Sequence, residues 1–141
     1  MKTEATKLKI TCYASVFPSK KNQKQLVYIK GKAIIISSNK YTAWEKEFGK
    51  TIMVWKLEQE QKNKVVFPIR RCAASVFFYY PNNRRLDLTN KVEGIFDSLV
   101  KYGVLDDDCW QILNPISISG DIDKTKPRCD IYLSNIIDSD I

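Results

Sequence analysis

Residues 72–103, CAASVFFYYPNNRRLDLTNKVEGIFDSLVKYG, change their hydrophobic period part-way along. The first ten, CAASVFFYYP, are a nearly continuous apolar run, which reads as a strand from the middle of a sheet. PNNRR ends it with turn chemistry. From Asp87 onward the spacing becomes helical. Leu88, Val92, Ile95, Phe96 and Leu99 fall on one face, so 87–102 is predicted to be a helix packed on that sheet. Gly103 stops it in the manner of a helix C-terminus.

Outward from this block the pattern stays α+β. LKITCYASVF (8–17) alternates apolar and polar residues and predicts a half-buried strand. PSKKNQKQ (18–25) predicts an exposed, lysine-bearing loop, and LVYIKGKAIII (26–36) a hairpin turning near Gly31. Ser37 or Ser38 is placed to cap a helix over 39–57. Its Tyr41, Trp44, Phe48, Ile52 and Trp55 would face a sheet, with the two tryptophans as core packing rather than base-stacking platforms. EQEQKNK (58–64) reads as a polar connection. CWQILNPISIS (109–119) and PRCDIYLS (127–134) supply two final strands. The order β-ββ-α-β-α-β-β describes a small α+β fold, with two main helices against a mixed sheet.

At 141 residues the chain suits one domain, 1–141, with a core of its own. No apolar run is long enough to cross a bilayer, and no basic segment leads into an apolar one at the N-terminus. A cytoplasmic protein without membrane contact is expected. Cys12, Cys72, Cys109 and Cys129 are far apart, and three sit in apolar runs, so they read as reduced core thiols. Histidine is absent. That excludes Ser-His-Asp and Cys-His catalysis and histidine-bearing zinc sites, leaving carboxylates, lysines, a metal or a cofactor for any chemistry.

The formal charge is +7, unevenly placed. Between Glu4 and Glu45 lie Lys7, Lys9, Lys20, Lys21, Lys24, Lys30, Lys32 and Lys40 and no acidic residue. Such a one-signed stretch points to an anionic partner, the plainer alternative being a solvated lysine face. Against this background, Asp106, Asp107 and Asp108 are conspicuous. Three adjacent carboxylates make one another harder to ionise, so a lysine or a metal is expected to compensate them. Asp87 alone reads as an N-cap, and the aspartate triplet alone as a solvated turn. The helix separates them by some 20 Å, so they meet only if the chain after Gly103 folds back beside it.

The block RRLDLTNKVEGIFDSLVKYGVLDDD resembles the RusA-like endodeoxyribonucleases, which resolve Holliday junctions and often come from prophages. Its pattern is similar to R-x-D-x-D-N-x-x-K-x-x-x-D-x-L-x-x-x-G-V-x-x-D-D, with weaker support from PSKKN and KPRCDIYL. The resemblance implies a dimeric α+β fold, a magnesium-dependent site (manganese being the substitute) and four-way-junction DNA as substrate. Asp87 matches the first metal-binding aspartate, Asn90 the asparagine, Asp97 the mid-helix aspartate, and Asp107 and Asp108 the terminal pair, with Asp108 the metal-binding member.

Two positions depart from the pattern: the second aspartate is Thr89 and the lysine is Glu93. Glu93 lies one turn from Thr89 on the same face, so it is expected to replace the missing ligand beside Asp87 and Asp108. The opposing expectation is a relative that binds DNA without cutting it. Lys20, Lys21, Lys24, Arg84 and Arg85 are the expected phosphate contacts. A metal-held phosphodiester needs no histidine, because magnesium prefers hard carboxylate oxygens and retained waters.

Overall fold

The computed structural model describes residues 7–18, 24–37 and 39–137, without the side chains at 24–27, 29, 34–37 and 39. Lys20, Lys21 and Ser38 lie outside the described residues, as does most of the expected 18–25 loop. The elements are β1 (Lys7–Cys12), β2 (Lys24–Ile29), β3 (Lys32–Ser37), α1 (Asn39–Lys62), β4 (Arg71–Tyr80), α2 (Leu88–Lys101), β5 (Leu113–Ile122) and β6 (Arg128–Ile137). Their order is the expected one. A four-stranded sheet runs β1-β6-β4-β5, and β2 and β3 pair separately as a hairpin. β4 and β5 are parallel while the other neighbours are antiparallel, so the sheet is mixed and the fold is α+β.

β4 sits inside the sheet, between β6 and β5. Cys72, Ala74, Val76, Phe78 and Tyr80 are buried at alternate positions along it. Leu8 and Ile10 of β1 and Ile131 and Leu133 of β6 join the same core. α2 adds Val92, Ile95, Phe96 and Leu99, the stripe its spacing predicts, and α1 adds Phe48, Ile52 and Trp55. Removing each large apolar side chain from water contributes about 1.5–3 kcal/mol. The indole Nε1 of Trp55 donates to the Lys9 carbonyl at 2.7 Å, tying α1 to β1. Trp44 packs with Tyr41, Phe48 and Phe17, so both tryptophans serve the core as expected.

The alternate positions of the sheet carry a second, part-exposed layer. Phe77 meets Tyr132 edge-on at 5.8 Å, with Lys7 4.6 Å and Lys9 5.6 Å from the centroid of the Tyr132 ring. The Arg128 guanidinium lies 4.2 Å from the Tyr79 centroid and is held by Asp123 and Asp130. Asp130 is buried, and its carboxylate also accepts from the Thr11 hydroxyl.

Boundaries differ from expectation in several places, the first being β2, which begins at Lys24 inside the expected 18–25 loop because Lys24 and Gln25 pair with Ser37 and Ile36. β1 stops at Cys12, where its pairing with β6 ends at Cys129, instead of running on to Phe17. Beyond that point the alternation breaks: Val16 is 70% exposed, whereas Phe17 is 1% exposed and packs edge-on against Phe78 and Tyr80. α1 continues to Lys62, absorbing the polar connection, because Glu, Gln and Lys are good helix formers. Lys64 closes it with a positive φ of 56°. β5 begins at Leu113, since residues 109–112 form a turn in which the Ile112 and Leu113 amides both donate to the Cys109 carbonyl. β6 runs on to Ile137, where the Arg70 amide finds a carbonyl.

All four thiols are free, and Cys12, Cys72 and Cys129 are buried. Burial pushes Cys12 and Cys72 up to about 12. Among the described residues no helix is long and apolar enough to cross a membrane.

The broken alternation after β1 gives a direct test. Phe17→Ala is expected to cost about 3–5 kcal/mol in urea denaturation, the cost of emptying a buried phenylalanine site. Val16→Ala is expected to change stability by less than about 0.5 kcal/mol. A strand extended to Phe17 with unbroken alternation would reverse the order.

Candidate functional site

α2 begins at a cap that the sequence predicts. Asp87 is extended, at φ −92° and ψ 107°, and its carboxylate accepts the Thr89 amide. The same Oδ1 takes the Thr89 hydroxyl at 2.7 Å, and Oδ2 takes the Asn90 side-chain amide at 3.1 Å. These bonds, led by the Thr89 hydroxyl, hold the exposed Asp87 carboxyl below its usual range. Thr89, standing where the motif has its second aspartate, is thus a donor to Asp87. Oδ2 keeps an acceptor site free of these contacts, because each carboxylate oxygen has two lone pairs.

The far end of α2 closes at Gly103, with φ 80°, and the chain then doubles back. The Val104 and Leu105 amides donate to the Leu99 carbonyl, and Leu105 bridges to Ile69 just ahead of β4. Asp106 is compensated by Arg70, whose guanidinium lies 3.1 Å from its carboxylate. Asp107 accepts the Asp108 amide. Asp108 is left with neighbours of its own sign. Its carboxyl is pushed up by desolvation first, then by Asp97 and Asp107. The chain therefore doubles back, and Asp108 comes within range of the Asp97 charge.

Asp97 also belongs to an acidic patch over Tyr41. Burial raises the Tyr41 phenol, and Glu45, Asp97 and Glu93 raise it further. Glu93 is exposed on that side, and it has no ion-pair partner among the described residues. The structure thus gathers Glu93, Asp97, Asp107 and Asp108 toward one side of α2. Asp87 stands apart, about 15 Å from Asp97 along the helix axis. Among the described residues no three Asp, Glu or Cys side chains are arranged to hold one metal ion together. The donor chemistry is nonetheless of the kind magnesium takes: hard oxygens, often only one or two carboxylates, the rest being water and substrate phosphate.

The cations are on the other flank. Arg84 and Arg85 are exposed in the segment before the Asp87 cap, where the Arg84 amide donates to Asn82 Oδ1 at 3.1 Å. Lys91, which the sequence reading passed over, lies close to Arg84; desolvation and then Arg84 lower its pKa, and Asp87 opposes them. Glu45, ion-paired with Lys101, was also passed over, and so was the weight carried by Asp97. The helical period does place Thr89, Glu93 and Asp97 on one face, four residues apart, and leaves only the approach of Asp108 unread. Lys24 lies in β2 with its side chain undescribed.

The family model described as Endodeoxyribonuclease RusA matches residues 16–134. The chain belongs to the RusA endodeoxyribonuclease family, the assignment its central motif implies. No curated protein matches it.

The crowding at Asp108 has a sign that can be measured. A carboxyl whose folded pKa is raised destabilises the fold as pH rises from its ordinary 3.8 through the raised value. Asp108→Asn removes that loss. With divalent ions chelated at neutral pH, it is expected to melt about 1–2 °C higher, as a few tenths of a kcal/mol at an exposed site would give. The gain should vanish at pH 3, where both proteins are neutral at this position.

Proposed function

We propose that this protein is a magnesium-dependent endonuclease that cuts four-way DNA junctions by phosphodiester hydrolysis, acting in the cytoplasm as a homodimer. The reading is supported by the Asp108 carboxylate, which has Asp97 and Asp107 as like-charged neighbours and no ion-pair partner among the described residues. It lies in a chain whose family match runs from 16 to 134. Glu93, Asp107 and Asp108, with Asp97 beside them, are the proposed donors on one side of α2, and Asp87 is a proposed donor at the other end of the helix, about 15 Å from Asp97 along its axis. Bound there, magnesium would supply charge stabilisation for the phosphate and an activated water. Asn90 fixes the Asp87 carboxylate from inside the first turn. Lys20, Lys21, Lys24, Arg84 and Arg85 would take the DNA backbone, a sequence-independent and salt-sensitive contribution.

A second reading, junction binding without cleavage, is favoured by Thr89, which spends its hydroxyl on Asp87 where the motif has a carboxylate. One experiment separates the two. The protein is incubated with a synthetic four-way junction and a matching linear duplex, with magnesium or with a chelator. Symmetric nicking of the junction, requiring magnesium, is the expected result. Junction binding without nicking at any magnesium or manganese concentration selects the second reading.

Asp87→Asn and Asp108→Asn are each expected to slow cleavage by more than about 100-fold, since even outer-shell partners of a metal are worth roughly 10–100-fold. Junction affinity should be retained. Glu93→Gln is expected to fall as far. A variant that cuts at the wild-type rate removes its carboxylate from the ligand set. Neutralising Lys20 and Lys21 together is expected to reduce the log–log salt slope of binding by about 0.9 per lost phosphate contact.

A further inference from the structure

We propose that the pocket between the end of β1 and the start of α2 receives one unstacked nucleotide of the bound DNA, base inside and phosphate on Arg84 and Lys91. The inference rests on the DNA-binding reading above and gives it a specific contact beyond the backbone.

The pocket has a volume of about 140 Å³, and Val16, Phe17, Tyr80, Pro81 and Leu86 form its apolar wall. That wall is incompletely covered: Val16 is 70% exposed and Leu86 37%. Phe17 is fixed edge-on against Phe78 and Tyr80, so the floor is rigid. An apolar pocket with a few placed polar groups is the usual form of a small-ligand site.

Its polar groups favour a base bearing a phosphate. Tyr80 is 8% exposed and contributes to the wall, with its hydroxyl sealed in the core and not open to the pocket. Asn82 spends its Oδ1 on the Arg84 amide, which leaves its NH2 for an acceptor. Arg84 and Lys91 both line the pocket, and neither has a carboxylate within ion-pair distance among the described residues. Two cations held near each other without a salt bridge are complementary to a phosphate. The donors outnumber the acceptors, which suits an acceptor-rich base edge. Asp87 acts on Lys91, so a nucleotide held here lies next to the capped start of α2.

A four-way comparison tests this. Affinity is measured for the wild type and for Ser15→Trp, a change at an exposed residue of the pocket lining that fills the space. Each is titrated with an intact junction and with one carrying abasic nucleotides at the point of strand exchange, in magnesium-free buffer. The wild type is expected to lose about tenfold in affinity on the abasic junction. Ser15→Trp is expected to bind the intact junction about tenfold more weakly, to lose nothing further on the abasic one, and to keep the wild-type salt slope. Equal abasic losses in both proteins, or none in the wild type, overturn the pocket while leaving junction binding intact. A wild type that binds no junction overturns the proposed function, and this inference with it. Circular dichroism checks the fold, and Val16→Trp replaces Ser15→Trp should the latter not fold.

Discussion

The parallel pairing of β4 with β5 is the constraint on which the site depends. Adjacent antiparallel strands can be joined by a tight turn, but parallel neighbours require the chain to travel back the full length of the sheet before it re-enters. α2 is that return path. Its first residue follows the end of β4 and its last leads to the start of β5, so the two ends of the motif are held at opposite ends of a helix. The buried stripe of Val92, Ile95, Phe96 and Leu99 glues this crossover to the sheet. What remains outward is the polar side, where Glu93 and Asp97 stand. Sheet topology thereby decides which carboxylates become neighbours.

Electrostatics then divides the surroundings of α2 by function. Asp106, Asp107 and Asp108 look alike in sequence and are not alike in place. Asp106 is neutralised by Arg70, Asp107 is occupied by the next backbone amide, and Asp108 feels the charges of Asp97 and Asp107. One of the three is structural, and one carries unrelieved charge. At the other end, Asp87 is relieved by its own helix and by Lys91. The acidic and basic flanks are thus separated along a single element.

Features that depend on neighbours in sequence were legible before any coordinates. The Asp87 cap, the hairpin turning at Lys30 and Gly31, the apolar stripe of α2 and the stop at Gly103 are written into a few consecutive residues. Features set by distant pairing were not. LKITCYASVF alternates past Cys12, yet the strand ends where β6 ceases to offer a partner. The turn at 109–112 hides behind residues that suit a strand, and only its bonds to the Cys109 carbonyl reveal it. Asp97 read as a supporting residue because nothing local says that Asp108 will be folded onto it. The pairing of Lys91 with Arg84 is likewise a product of the bend before α2, which no helical period encodes.

The uneven burial of the thiols has a practical side. Cys12, Cys72 and Cys129 are sealed in the core, and Cys109 alone of the four is partly accessible. It directly follows Asp108, in the turn that starts the return to β5. A maleimide-linked spin label or fluorophore added to the unmodified protein would therefore attach at one place, beside the acidic patch, with no cysteine needing replacement. The chain carries its own attachment point for watching that patch in solution.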